Sequence, residues 1–286
     1  MSQTILSAKD LTFRYDKKLV INDLSMTVLP GEVIGIVGKN GCGKTTLLKI
    51  ITGFLFPERG SISLSEGNNK ANPMISGFME TPKLLENLTG DENLRYFLEK
   101  QYSAKEVQEA LVRWELSEYS DTPVRKYSLG MKQKLGLMMA FLSGAALLVF
   151  DEPTNSLDYE SVRIFYECVK EASAAGRAVI LVTHILYELK SNCSRLLILN
   201  DGVLQEEADF ASDHNVYRVE FADADNALKA LNVLKKQEIV RHYSNTIEIC
   251  DVARKVSDLI RAMSVFDILS VQKISTIHLT DGGTDR

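Results

Sequence analysis

The chain has 286 residues, which at roughly 150 residues per domain predicts about two domains, each long enough for its own core. Apolar residues make up 45% and charged residues 25%, with 6 Pro and 17 Gly, so fibrous, collagen-like and extensively disordered classes are excluded. Lys and Arg total 33 against 38 Asp and Glu, a formal charge of −5, which argues against bulk attraction to a polyanion; no nucleic acid partner is expected.

In chain order, Ser7 to Phe13, Leu24 to Val28 and Ser61 to Leu64 alternate like strands between Gly, Pro and Asp breakers. Val33 to Val37 is continuously apolar, which predicts a central strand buried on both faces, and Ala146 to Phe150 and Ala178 to Val182 are two more, each preceded by a helical pattern. This is the alternation of an α/β domain. Pro82 to Gly144 reads as a helical insertion, with capping boxes at Thr89/Glu92 and Ser103/Glu106. No apolar run reaches the ~18 to 20 residues of a membrane span. The nearest, Leu135 to Phe150, is broken by Ser143 and Gly144 and reads as a buried helix end followed by a buried strand. The N-terminus has no basic region followed by an apolar core, so no secretory signal is expected and the location predicted is cytoplasmic. Cysteines at 42, 168, 193 and 250 are too far apart for a CxxC site and read as free thiols.

After a turn at Asp201-Gly202 come a strand at Tyr217 to Phe221, a helix with Leu228, Leu231 and Leu234, and two short strands around Ile239 and Ile247/Ile249. A helix with Val252, Val256, Leu259 and Met263 and a strand near Ile268 to Ile274 complete the chain. Strand, helix, strand, strand, helix, strand is the order of a ferredoxin-like split βαβ unit.

Gly38-Lys39-Asn40-Gly41-Cys42-Gly43-Lys44-Thr45 fits G-x4-G-K-[ST] between a buried strand and an apolar helical run. Backbone N–H groups of such a loop converge on phosphate oxygens, Lys44 supplies a cation to the β- and γ-phosphates, and the Thr45 hydroxyl is a candidate Mg²⁺ ligand. Asn40, Gly41, Cys42, Gly43 and Thr46 complete the expected ATP-binding set. Leu147 to Phe150 is an apolar strand ending in Asp151 and Glu152, where open α/β sheets place ligands. Asp151 is the candidate metal residue and Glu152 the candidate general base.

Together these motifs resemble the ATP-binding subunits of ABC transporters, over about residues 3 to 210. Tyr127-Ser128-Leu129-Gly130-Met131-Lys132-Gln133 looks like the signature motif, usually Leu-Ser-Gly-Gly-Gln, with Ser128 and Gly130 matching strictly. The resemblance implies that Ser128 and Gly130 contact ATP held by an opposite subunit. It also implies that Thr154 to Asp158 is the D-loop, that His184 is the switch histidine and that Tyr15 stacks on adenine. Ile75 to Pro82 aligns with the Q-loop, where the family carries Gln and this chain carries Glu80. That substitution resembles exporters of the bacitracin and lantibiotic-immunity type, and makes Glu80 a candidate metal and coupling residue.

The fold expected is α/β: a P-loop NTPase (RecA-like) core with an antiparallel β edge and an inserted helical subdomain at about 82–144, plus a small C-terminal α+β domain. The boundaries expected are 1–211 for the ATPase domain and 212–286 for the accessory domain. The resemblance implies ATP and Mg²⁺ as cofactors, and a homodimer or heterodimer of ATPase subunits. It further implies a separate integral-membrane permease as partner, peripheral attachment to the inner face of the cell membrane, and export of an antimicrobial or drug-like small molecule or peptide. An importer ATPase shares all these motifs and stays the alternative. A soluble ABC ATPase acting on DNA or ribosomes would carry long coiled-coil insertions or two cores, and a GTPase would carry Asn-Lys-x-Asp; the sequence has none of these.

Overall fold

The computed structural model describes residues 4–65, 74–98, 103–183, 189, 192–206, 213–234, 239–250 and 256–278. The chain divides into two compact units, one of Met1–His184 with Asn192–Glu206 and one of Ile185–Ser191 with Glu207–Arg286.

The first unit contains two sheets. β1 (Leu6–Tyr15), β2 (Lys18–Val28) and β4 (Arg59–Leu64) form a three-stranded antiparallel sheet in the order β2-β1-β4. The second sheet has six strands in the order β5-β6-β7-β3-β8-β9: β5 (Ile75–Phe78), β6 (Leu147–Asp151), β7 (Ala178–Val182), β3 (Val33–Val37), β8 (Arg195–Asn200) and β9 (Val203–Glu206). Five of these strands run parallel and β9 closes the edge antiparallel, joined to β8 through the predicted Asp201-Gly202 turn. β6 and β7 are buried along their whole length, as unbroken apolar runs require when both faces of a sheet are covered. One core joins the two sheets around α1 (Lys44–Ile51): Leu11, Ile21 and Leu24 from the antiparallel sheet meet Ile34, Ile36, Val149 and Ile180 across Leu47 and Leu48.

Among the described residues of this unit, four helices follow α1. α2 (Gly90–Leu98) opens with Thr89 Oγ1 accepting the Glu92 N–H at 3.2 Å while Glu92 accepts the Thr89 N–H at 2.8 Å. α3 (Ala104–Arg113) opens with the Ser103/Glu106 box; both expected boxes are formed. α4 (Leu129–Leu142) is capped by the Ser128 hydroxyl, and α5 (Tyr159–Ala174) by Asp158. Two 3₁₀ turns, Ser117–Tyr119 and Val124–Lys126, lie between α3 and α4. An aromatic cluster holds this region to the sheet. Phe165 of α5 packs against Phe150 of β6 at 5.6 Å, Phe141 of α4 at 5.9 Å and Tyr166 at 4.9 Å between ring centroids, and Trp114 stacks on Phe141 at 6.5 Å.

In the second unit, β10 (Asp213–Phe221), β11 (Ile239–Tyr243), β12 (Thr246–Cys250) and β13 (Ile268–His278) form an antiparallel sheet in the order β11-β12-β10-β13. α6 (Ala224–Leu231) and α7 (Val256–Met263) complete it, and Val219, Phe221, Ile247, Ile249, Leu259 and Met263 form its own core. The first and third strands are central neighbours and the second and fourth lie outside, as the split βαβ order requires. Val252, assigned from the sequence to the last helix, lies outside the described residues.

Phe165→Ala empties the centre of the aromatic cluster and is expected to lower the free energy of unfolding by about 3–5 kcal/mol. Tyr96→Ala, at an exposed aromatic of α2, should change it by under about 0.5 kcal/mol. Denaturant titration of both variants checks the contrast.

Candidate functional site

The C-terminal ends of β3 and β6 converge on a cavity of about 600 Å³, within the roughly 300–1,000 Å³ usual for small-molecule sites. Its wall carries Tyr15, Asn40, Gly41, Gly43, Lys44, Thr45, Thr46, Glu80, Asp151 and Glu152 from the sequence-derived set, together with Lys18, Val20 and Asn155.

The loop between β3 and α1 is shaped by backbone conformation. Gly43 caps α1 at φ 111°, a conformation side chains oppose, and its carbonyl accepts the Leu47 N–H at 2.8 Å. Gly38 is needed for a different reason: a Cβ there would lie 2.4 Å from the Leu199 carbonyl oxygen and 2.6 Å from Cys42 Sγ. Lys44 Nζ donates to the carbonyls of Gly38 at 2.7 Å and Lys39 at 3.2 Å, so the ammonium is folded back over its own loop. Thr45 Oγ1 donates to Asp151 Oδ2 at 2.6 Å, tying the first turn of α1 to the end of β6.

Asp151 is 5% exposed, and burial pushes its carboxyl above the usual range. The Thr45 hydroxyl and Lys44 oppose that shift, while Glu152 and Glu80 add to it. Glu152 turns away from the strand at φ 50°, and its N–H donates to Val182 O of β7 at 2.8 Å. Glu80 stands at φ 65° two residues beyond the end of β5. Among the described residues no three His, Cys, Asp or Glu side chains gather closely enough to hold a metal ion alone. Thr45 and Asp151 stand at hydrogen-bond distance and Glu80 lines the same wall, oxygen donors of the type that suits a hard divalent cation.

Tyr15 sits at the cavity 46% exposed, its ring edge-to-face with Phe13 at 4.9 Å. Cys42 is half-buried beside Gly38. Burial pushes the Cys168 and Cys193 thiols up to about 12. Ser128 and Gly130 are not on the cavity wall; Ser128 Oγ accepts the Met131 N–H at 3.2 Å at the start of α4. His184 lies outside the described residues. The sequence reading missed Lys18 and Val20. Lys18 pairs with Tyr15 across the β1–β2 hairpin, and the short Asp16-Lys17 turn beside that tyrosine was the available signal.

A family model described as ABC transporter matches residues 21–155. The chain is 30% identical over 272 residues to the bacitracin transport ATP-binding protein BcrA of Enterococcus faecalis, covering 90% of this chain and 87% of that protein. It is 34% identical over 212 residues to Nod factor export ATP-binding protein I of Burkholderia pseudomallei (strain 1710b), covering 71% and 70%. A solved structure of an ATP binding subunit of an ABC transporter is 32% identical, with a TM-score of 0.65 over 71% of this chain and 89% of that one.

In the ligand-free chain a buried, desolvated Asp151 carboxylate opposes folding. Because its carboxyl is shifted up, that cost is full above the folded-state pKa and disappears below the unfolded value of about 3.9. Asp151→Asn keeps an acceptor for Thr45 and removes the charge. It is expected to raise the unfolding midpoint of the ligand-free chain at neutral pH, with the gain shrinking as pH falls toward about 4. Denaturant titrations across pH check the sign.

Proposed function

The chain belongs to the ATP-binding proteins of ABC transporters, ATP-hydrolysing transport ATPases, and on that premise we propose that it drives a bacterial exporter. The proposed cargo is a small molecule or peptide of antimicrobial or drug-like kind, passed through a separate membrane permease. The names of the bacitracin-transport and Nod factor export relatives support that reading. Among the described residues no helix is long and apolar enough to cross a membrane, which fits a peripheral subunit on the inner face. In this proposal residues 1–211 form the ATPase domain, with 82–144 as its helical subdomain, and 212–286 form an accessory domain.

The observation that carries the site assignment is the 2.6 Å contact of Thr45 with Asp151, beside Lys44 on the wall of a nucleotide-sized cavity. In the proposed mechanism Tyr15 stacks on the adenine. Backbone groups of Gly38, Asn40, Gly41, Cys42, Gly43 and Thr46 surround the phosphates, and Lys44 exchanges its two carbonyl partners for β- and γ-phosphate oxygens. Thr45, Glu80 and Asp151 would hold Mg²⁺, which supplies neutralising charge to those oxygens. Glu152 takes a proton from the attacking water as the new oxygen–phosphorus bond forms and the bond to the departing ADP oxygen breaks. His184 contacts the γ-phosphate. Ser128 and Gly130, at the N-terminus of α4, meet the γ-phosphate of ATP held by the other ATPase subunit, in a homodimer or a heterodimer.

Glu152→Gln is expected to keep ATP affinity, to lose about 10²- to 10⁴-fold in turnover, and to accumulate as an ATP-bound dimer in light scattering. Near-normal turnover in that variant removes Glu152 from the role of base. Glu80 tests the coupling assignment. Glu80→Gln should retain transport in the reassembled transporter, whereas Glu80→Ala should lower transport and turnover about tenfold with nucleotide affinity changed less than about twofold. Parallel nucleotide-binding, turnover and substrate-resistance measurements decide it.

A further inference from the structure

Gly130, Gln133 and Lys134 stand at i, i+3 and i+4 of α4 and therefore share one face of the helix. That face meets the loop after β6 at three points. A Cβ on Gly130 would lie 2.8 Å from the Ser156 carbonyl oxygen, so the two backbones touch with no room for a side chain. Gln133, 2% exposed, donates through Nε2 to the Pro153 carbonyl at 2.9 Å. Lys134, 8% exposed, holds Nζ 3.0 Å from Glu115 Oε2 and 3.4 Å from Asp158 Oδ2. Asp158 also accepts the Ser161 N–H at 2.8 Å as the cap of α5. Burial pushes the Asp158 carboxyl up, but its bonds to Ser161 and the charge of Lys134 outweigh this and hold it below the ordinary value.

The gripped loop is short and has a fixed shape. Asn155 N–H donates to Glu152 O at 3.2 Å, Leu157 N–H to Thr154 O at 3.3 Å, and Ser156 sits at φ 69°. At its near end Glu152 and Asn155 line the nucleotide cavity. None of Gly130, Gln133 or Lys134 does so. A Gln side chain buried to this depth is costly without its acceptor, and Lys134 gives up one of its two carboxylates when the loop parts from it, so both side chains resist separation of helix and loop.

We propose that Gln133 and Lys134 are positioning residues that clamp the Pro153–Asp158 loop to the first turns of α4. The loop then moves with the Ser128–Gly130 turn as one body, and the chain's own nucleotide cavity is joined through Asn155 to the turn that meets the partner subunit's nucleotide. The functional half of this inference rests on the reading of Ser128 and Gly130 given above; the clamp itself does not. Coupling requires a contact that differs between two states, and a loop that touches the cavity at one end and α4 along the rest supplies the connection.

Hydrogen exchange on the full chain without nucleotide tests the clamp directly. In Lys134→Gln and in Gln133→Met, which nearly keeps the volume and removes the donor, amide exchange over 154–158 and at Met131 should accelerate about tenfold, the size expected for one charge-assisted or buried hydrogen bond. Exchange over 38–45 should stay unchanged. Unaltered exchange over 154–158 in both variants overturns the clamp. ATP turnover then tests its purpose. Lys134→Gln and Asp158→Asn, the latter keeping a capping oxygen, should turn over about tenfold more slowly with nucleotide affinity within about twofold of the parent. Lys134→Arg and Glu115→Gln should behave like the parent. Equal losses in Glu115→Gln and Asp158→Asn would reduce Lys134 to a general stabilising role and overturn the coupling. Absence of turnover in the parent chain would instead refute the ATPase assignment, and the exchange result would still decide the clamp.

Discussion

The hydrogen bond from Thr45 to Asp151 is the contact on which the site depends. β3 and β6 are not neighbours; β7 lies between them, so the loop after β3 must lean across one strand to bring the first turn of α1 over the end of β6. Parallel strands all deliver their C-terminal ends to the same edge, and apolar cover on both faces leaves that edge as the place where polar groups emerge. Asp151 is the last residue of such a strand and is itself buried, a position a carboxylate keeps only when a donor reaches it. Thr45 is that donor, and holding it there fixes where Lys44 and the glycines of the loop must stand.

Register accounts for the other two carboxylates. Phe78 of β5 pairs with Phe150 of β6, so Glu80 and Glu152, each two residues further on, leave the sheet at the same level on adjacent strands. Both adopt positive φ, which bends the chain away as it passes the edge. Three carboxylates therefore face one cavity in which Lys44 is occupied by backbone carbonyls rather than by any of them. On that wall three carboxylates stand against the two ammonium groups of Lys18 and Lys44, an excess of negative charge. A triphosphate alone would add to it, and the Mg²⁺ proposed above would supply the offsetting charge.

The phosphate loop, the β6 carboxylates and the capping boxes were legible because each is a local rule: glycine where side chains do not fit, acids where a buried strand ends, a hydroxyl three residues before Glu. The second unit was legible through its element order alone, since hydrophobic alternation separated strand from helix even in short segments. Contacts set by pairing were not. Lys18 joins the cavity only because the hairpin places it opposite Tyr15, and its polar start hid the first half of β2. β5 escaped notice because four residues with Gly77 in the middle and no fully buried position carry almost no periodic signal. Gln133 and Lys134 showed helical spacing from Gly130, but Pro153 and Asp158 lie on the far side of a strand and Glu115 lies before the helix, where no local pattern points.

α4 has a second engaged side. A Cβ on Gly136 would lie 2.3 Å from Pro82 Cβ, and Lys132 Nζ lies 2.7 Å from Glu86 Oε1. The segment following Glu80 thus rests on the same helix that grips the loop following Glu152. Further along, Phe141 packs into the cluster of Phe150 and Phe165, so the far end of α4 is anchored to the core while its capped N-terminal turn projects Ser128 and Gly130. α4 is thus held at one end by the aromatic cluster and touched on two sides by segments that lead from the nucleotide cavity. Under the coupling proposed above, the segments that follow Glu80 and Glu152 would act on this one helix and, through it, on the Ser128 turn.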